Sequence, residues 1–320
     1  MQTIKVIDVS EKPKMNRKMQ EGIAIAFSTG DRDLIIGKLR QAIRHFDSMP
    51  ESAWRTNLMK LLDFVESLES TINGRNRWKK EELKPAFSVF VKGNGKLPFY
   101  SFSALAGAFE ADADLALPFC IGAGACRKPC YSVKAWRYPA AFCRQLQNSL
   151  LLASNTGRNV IKRAFIALPG NVTVRPYVDG DFRTKLEVAF WMSLAHCRSD
   201  LALYGYSKSF AQLLAYDATG KGWPTNYVLN LSSGHCHDSA TVERIKQLPI
   251  YRGEFIALGK KGNLQHGSKA YNAEARKLAK EEGHNKVFVC PGLCGECTAK
   301  THACGDGQRF NNIPIVILAH

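Results

Sequence analysis

Three observations predict an α/β protein built on a parallel sheet or a (β/α) barrel, preceded by a helical region. Beyond residue 85, strand-like runs (173–178, 201–206, 227–231, 254–258, 286–289 and 313–318) alternate with helix-like runs (185–197, 240–247 and 268–282). The connections between them are short, which is how parallel strands joined by helical crossovers read in sequence. Before residue 85 the apolar residues keep helical spacing instead. Finally, seven of the ten cysteines fall into two glycine-containing loops, where thiols serve as metal ligands more readily than as packing. The chain is accordingly divided into an N-terminal helical region, 1–84, and an α/β Cys-rich metal-binding domain, 85–320.

In the N-terminal region, Leu34, Ile35, Leu39, Ile43 and Phe46 share one helix face, as do Trp54, Leu58, Leu61, Leu62, Val65 and Leu68. Ser48 and Glu51 form a capping-box pattern before the second run, with Pro50 in its first turn. Asn73-Gly74 is read as the end of that helix, and 75–80 as a solvated basic connector. A helical appendage packed on the main domain suits this stretch better than a separate DNA-binding module, since no helix-turn-helix pattern is visible. From Pro85, the runs 87–92 and 97–102 around Gly93-Asn94-Gly95 predict a hairpin. A Cys-rich loop follows, then a helical stretch over 132–153.

The 320 residues hold 44 Lys+Arg against 28 Asp+Glu, a formal net charge of +16. A hydrophobic fraction of 45% and a charged fraction of 22% belong to a globular chain and exclude a disordered or fibrous one. No apolar run approaches the ~20 residues of a membrane span, and the first residues lack an apolar signal core, so a cytoplasmic protein with no membrane partner is expected. In that compartment the cysteines are thiols or metal ligands, not disulfides. The positive balance favours an anionic partner, DNA, RNA or a nucleotide.

The first cluster is Cys120, Cys126 and Cys130 in FCIGAGACRKPCYS. Gly122 and Gly124 let this loop fold tightly enough to turn three thiolates toward one centre. Three ligands on a four-iron cluster leave one iron open, and three on zinc leave a place for water or a fourth ligand. The second cluster is Cys290, Cys294, Cys297 and Cys304 in VCPGLCGECTAKTHACG, enough thiols to close a tetrahedral zinc or anchor an iron–sulfur cluster, with His302 able to replace one of them. Its Cys-x3-Cys-x2-Cys portion has the spacing typical of radical S-adenosylmethionine enzymes, but it lies late in the chain and Cys304 adds a fourth ligand. A closed, structural site is the better reading there. Cys143 and Cys197 read as core thiols on helices.

Polar groups gather at strand ends, where a barrel presents its active site. Asp181, in Asp179-Gly180-Asp181, follows a strand; a turn-forming Asp-Gly is the competing reading. His235 and His237 follow the strand over 227–231, where the alternative is a polar loop with Asp238 or Ser239 capping the next helix. Asp181, His235 and His237 are the candidate catalytic residues. Arg175 and Tyr177 share one strand face, and Tyr204, Tyr206 and Lys208 share one face of the next, which suits either a polar pocket or a polar barrel filling. Arg127, Lys128, Arg175 and Tyr206 are the candidate cofactor contacts.

The charge is local. From 115 to 178 there is no Asp or Glu, while Arg127, Lys128, Lys134, Arg137, Arg144, Arg158, Lys162, Arg163 and Arg175 are all basic. Tyr131, Trp136, Tyr138 and Phe142 are interleaved, so base stacking is available beside phosphate contacts. Residues 1–84, with sixteen basic and twelve acidic side chains, are nearly balanced. Positive charge around thiolates stabilises them, stabilises an anionic cluster, and attracts a phosphate-bearing ligand.

Taken together, GNGKLPFYSF, FCIGAGACRKPCYS, VDGDF, LYGYSKS and VCPGLCGECTAKTHACG resemble the gene product 88 family of phage and plasmid proteins over roughly 85–320. Such proteins look like distant relatives of the radical S-adenosylmethionine barrel. The resemblance implies a partial (β/α) barrel, Cys120, Cys126 and Cys130 as early cluster ligands, Cys290, Cys294, Cys297 and Cys304 as late ones, and Asp181 at a barrel strand end.

Two function classes follow. One is an iron–sulfur, radical-type enzyme of a mobile genetic element acting on a nucleic acid or nucleotide, with S-adenosylmethionine as its further cofactor. The other is a non-enzymatic accessory protein, stabilised by zinc or a cluster, that binds DNA or RNA in replication, transfer inhibition or host takeover. A zinc deaminase ranks last, because the His-x-Glu partner that chemistry needs is missing.

Overall fold

The computed structural model describes residues 14–72, 75–78, 83–93, 99–107, 119–127, 130–292, 294, 297 and 302–319. Three helices lead: α1 (Arg17–Thr29), α2 (Arg32–Arg44) and α3 (Ala53–Glu66). Each has an N-cap side chain, Asn16, Asp31 and Ser52, accepting a first-turn N–H. The cap of α3 is thus Ser52, not the expected Ser48. Helix α3 also ends earlier than Asn73-Gly74. Strands β1 (Leu68–Ile72) and β2 (Arg75–Trp78) pair antiparallel on either side of Asn73-Gly74, so 75–78 are strand where a solvated connector was expected; Asn73-Gly74 and 79–80 lie outside the described residues.

The expected hairpin is present as two short antiparallel strands, β3 (Val91–Lys92) and β4 (Tyr100–Ser101). The long helix predicted over 132–153 is broken at Pro139 into a single turn, α4 (Tyr131–Lys134), and α5 (Pro139–Ala153). Helix α6 (Asn155–Ile166) was not expected. Its Gly157 lies so close to α5 that a Cβ would sit 2.2 Å from the Leu151 carbonyl. The alternating portion then runs β5 (Thr173–Arg175), α7 (Lys185–Cys197), β6 (Ala202–Ser207), α8 (Phe210–Asp217), β7 (Tyr227–Ser232), α9 (Ser239–Lys246), β8 (Tyr251–Lys260), α10 (Lys269–Glu281), β9 (Phe288–Val289) and β10 (Ile315–Ala319). The strands follow the expected order, and helix α8 is the one element of this portion that the sequence pattern did not predict.

The strands form one eight-stranded sheet, ordered β3-β4-β5-β6-β7-β8-β10-β9 and parallel from β4 to β9. This is a mixed α/β fold, as expected. Period-two alternation gives its two faces different covers. Val174, Leu203, Leu229 and Leu231 join the main core, one cluster of buried residues drawn from between Met15 and Ile250 that includes the N-terminal helices, α5, α6 and α7. Ile256, Leu258, Val316 and Leu318 pack with Tyr271 and Ala275 of α10. Phe255, Phe288 and Ile315 face the other way and pack against the late Cys loop. Phe90, Phe102, Phe165 and Tyr177 surround Trp191 of α7, with centroids 4.9–6.4 Å from its ring.

Helix α5 is buried on nearly every side, including its polar row Gln145, Gln147, Asn148 and Ser149. Buried polar groups need partners, and here they tie irregular segments to the helix. Gln147 accepts from Phe87 N (2.8 Å) and donates to its carbonyl (2.9 Å). Asn148 donates to the Ser103 carbonyl (2.9 Å), Ser149 accepts from Leu105 N (2.9 Å), and Gln145 donates to Asp179 (3.1 Å). The segment bearing Asp181 is anchored in this way. Among the described residues no helix is long and apolar enough to cross a membrane.

Candidate functional site

The early Cys loop lies across the carboxyl ends of β6 and β7. Ala123 bridges antiparallel to His235, Gly124 N donates to the Gly234 carbonyl (2.9 Å), and Cys236 N donates to the Gly122 carbonyl (3.1 Å). A Cβ on Gly122 would stand 1.7 Å from the Lys208 carbonyl oxygen, so only glycine admits this approach. The two expected loops, around Cys120 and around His235, are therefore one structure.

Asp181 sits beside this loop, buried, where its carboxylate ties two strand ends together. It accepts from Ser207 Oγ (2.8 Å), Lys208 N (2.7 Å) and Phe182 N (2.8 Å). Burial outweighs these bonds and holds its carboxyl above the ordinary value. Cys120, with φ 52°, accepts from Gly107 N at 3.4 Å. Burial first, then the Asp181 charge, pushes its thiol up to about 12, with Cys130 adding to the rise and Lys208 opposing it. Asp181, Cys130 and Lys208 thus all act electrostatically on Cys120. Lys208 extends its ammonium to Ser232 Oγ (2.7 Å) at the end of β7.

His237 Nε2 donates to the Lys208 carbonyl at 2.7 Å, which assigns the proton to that nitrogen because a carbonyl only accepts. His235 Nδ1 accepts from His237 N at 3.3 Å. Burial, then the neighbouring His237 and Lys208, lowers the His235 imidazole below its usual value. The ring of Phe210, at the start of α8, stacks on His237 with centroids 4.6 Å apart and lies tilted against His235 at 4.8 Å. Asp238 also caps α9, accepting from Thr241 N (2.8 Å), so the loop is both a cap and part of the site.

The described residues Cys290, Cys297 and Cys304 of the late loop lie with Phe255, Phe288 and Ile315, on the sheet face away from α10. Arg175 stacks over Tyr206, 4.4 Å from its centroid, and Tyr206 and Cys304 act on each other electrostatically. His302 rests against Tyr204, with centroids 4.5 Å apart. Asn230 donates to the Cys304 carbonyl (2.8 Å). Burial pushes the Cys290 thiol up to about 11, aided by Cys294 and Cys297, and the Cys304 thiol up to about 12, aided by Cys290. Cys290 is thus the thiol that the other three share: Cys294 and Cys297 act on it, and it acts on Cys304.

Among the described residues no three His, Cys, Asp or Glu side chains already stand at metal-binding spacing. The donor chemistry nevertheless fits a thiophilic metal: four soft ligands, two guanidinium groups nearby (Arg175 and Arg252), and His302 Nε2 buried with no hydrogen-bond partner. Cys120, Cys126 and Cys130 offer the corresponding donors in the early loop.

The candidate cofactor contacts divide between these places. Arg127 is exposed at the rim of the early loop, Arg175 and Tyr206 lie under the late one, and Lys128 is outside the described residues. Tyr177 does not share the Arg175 face. Strand β5 stops at Arg175, and Tyr177, with φ 54°, turns into the helical core to donate to Glu187 (3.0 Å). Cys143 is a core thiol as expected, whereas Cys197, at the last turn of α7, is exposed. Arg252, Asn230 and Ser207 were not foreseen as site residues. The signal for Arg252 was a lone charge inside the apolar run YRGEFIAL, hidden because the strand was expected to begin at Glu254.

A family model described as Gene product 88 matches residues 71–257, more than half of the chain. No curated protein and no solved structure matches it.

Proposed function

The chain belongs to the gene product 88 family, and on that premise we propose that it is a thiolate metal protein of a mobile genetic element whose early Cys loop faces an anionic ligand, a nucleotide or nucleic acid. The observation that carries this reading is the meeting of Cys120, Asp181, Lys208 and the His235–His237 loop at the carboxyl ends of parallel strands, where α/β folds hold their ligands. We read the sheet as a partial (β/α) barrel, with the late Cys loop filling its inner side.

An iron–sulfur cluster on Cys120, Cys126 and Cys130 would keep one iron free for S-adenosylmethionine and supply one-electron chemistry; zinc in the same loop would supply a Lewis acid. The surrounding residues do the positioning. Asp181 fixes the backbone of Lys208, His237 fixes its carbonyl, and the Lys208 ammonium offsets negative charge on Cys120. The Asp181 carboxyl, held high by burial, and the neutral His235 imidazole are the groups suited to hold or pass a proton. Cys290, Cys294, Cys297 and Cys304 serve a closed, structural centre.

Replacing Cys126 by Ala tests the assignment. The variant should lose the metal of the early loop and keep that of the late one; an unchanged metal content contradicts the reading.

A second reading, an accessory nucleic-acid-binding protein without catalysis, has its own observation. Arg127, Lys134, Arg137, Lys162 and Arg163 are exposed along the acid-free stretch, and Tyr138 is 54% exposed with Arg137 stacked on it at 4.8 Å. A basic surface with an exposed ring suits single-stranded nucleic acid. Conversion of a nucleotide or nucleic acid by the metal-loaded chain separates the readings, since the accessory protein binds without converting.

A further inference from the structure

Among the described residues, Arg252 is the one charged side chain in the set of largest fully buried groups, with 0% of its surface exposed. Its Nε donates to Asn230 Oδ1 at 2.7 Å. Its terminal nitrogens donate to the carbonyls of Phe310 (3.1 Å), Ile313 (2.7 Å) and Glu254 (3.1 Å). Every one of these acceptors is neutral. A guanidinium stays protonated inside proteins, so its hydrogen bonds are satisfied while its charge is not. An uncompensated buried ion is strongly unfavourable. Among the described residues, the ionisable groups that act on it are Cys304, Tyr206 and Tyr251, with no carboxylate among them. Of the three, the cysteine is the group that a metal converts to a stable anion.

We propose that Arg252 is the internal counter-ion of an anionic metal–thiolate centre formed by Cys290, Cys294, Cys297 and Cys304. This rests on the reading of the late cysteines as metal ligands. Four thiolates around one divalent ion leave an excess of two negative charges, and Arg252 and Arg175 are the cations that act on Cys304. Arg252 also holds the far end of the Cys loop, through Phe310 and Ile313, against β7 and β8. One side chain therefore fixes the loop and balances the centre it carries. It is a positioning residue, not a ligand.

The test is zinc binding by the full chain, stripped of metal under reducing conditions and titrated in competition with a chromophoric chelator. Wild type, Arg252→Met and Arg252→Lys are compared, with chemical unfolding of the stripped and zinc-loaded forms. Arg252→Met should weaken zinc binding about tenfold or more, the usual size of an outer-shell effect, and its stability deficit should be larger in the loaded form than in the stripped one. Arg252→Lys, which keeps the charge and loses the fork, should recover most of the affinity; it carries the test if the Met variant does not fold. Overturning results are a Met variant that binds zinc as tightly as wild type, a deficit equal in both forms, or a folded Lys variant that binds no better than Met. Wild type that takes up no zinc, with Cys304→Ala indistinguishable from it, sinks the parent reading and the proposal together; zinc binding that depends on Cys304 but not on residue 252 sinks the proposal alone.

Discussion

His237 Nε2 and the carbonyl of Lys208 are 2.7 Å apart, and the same Lys208 gives its backbone N–H to Asp181 at 2.7 Å. One residue at the end of β6 is thus gripped on both sides of its peptide unit by two side chains from different loops. Removing either grip should disturb the early Cys loop, which rests on that carbonyl through Gly122. His237→Ala should cost about 1 kcal/mol, the net worth of a typical hydrogen bond, and reduce metal retention by the early loop. Denaturant unfolding and metal analysis read the two effects; a variant matching wild type in both contradicts the arrangement.

Asp181 provides a pH signature. Its folded carboxyl titrates above the ordinary value, whereas in the unfolded chain it titrates near ~3.9. Between those values the folded state holds more protons, so the contribution is fully present below the unfolded value and is lost as pH rises through the folded one. Asp181→Asn should remove that fall. It should also cost about 1–3 kcal/mol at neutral pH, because an amide NH2 must meet the backbone N–H of Lys208 or Phe182. Unfolding of metal-stripped wild type and variant across the acid range compares the slopes, and parallel curves would contradict the assignment.

Gly122→Ala should displace the loop without dismantling the core. With only 1.7 Å between the new Cβ and the Lys208 carbonyl, backbone must move, at a cost of about 1–3 kcal/mol. Far-ultraviolet circular dichroism should stay near wild type while early-loop metal is lost. Retention of that metal would mean the loop does not lie where Gly122 puts it.

Trp191→Ala tests the sheet-and-helix packing. The ring is fully buried among Phe90, Phe102, Phe165 and Tyr177, so truncation should cost about 3–5 kcal/mol. A loss below 1 kcal/mol in denaturant unfolding would show that this cluster is not the core of the fold.

The exposed basic stretch predicts salt-sensitive binding of single-stranded DNA or RNA. Log affinity should fall linearly with log salt, Arg137→Ala should shallow that slope, and Tyr138→Ala should weaken binding by about 1–3 kcal/mol if a base stacks there. Fluorescence anisotropy at several salt concentrations measures all three. Binding that ignores salt would remove the electrostatic argument.

Local patterns were legible where the chain acts locally. Helix α7 spans Lys185–Cys197 as expected, because Thr184 caps it and its apolar residues repeat at helical spacing. Asp181 was legible as a strand-end carboxylate. Its partners Ser207 and Lys208, twenty-six and twenty-seven residues on, are brought to it only by the pairing of neighbouring strands, which no local pattern encodes. Tyr177 was misassigned because period-two alternation assumes a strand that continues, and the chain turns left-handed there instead. Arg252 was missed for a different reason: a charge in an apolar run reads as a strand boundary unless its buried acceptors are known.

Metal and acid-labile sulfide analysis of the full chain, purified without oxygen, tests the central claim most directly. The account predicts tightly bound metal that falls on substitution of Cys126 and, independently, of Cys304; iron with sulfide and broad visible absorption would favour the radical-type reading over the zinc one. A chain that emerges free of metal, with all ten cysteines titrating as ordinary thiols once unfolded and no metal taken up on reconstitution, would contradict it.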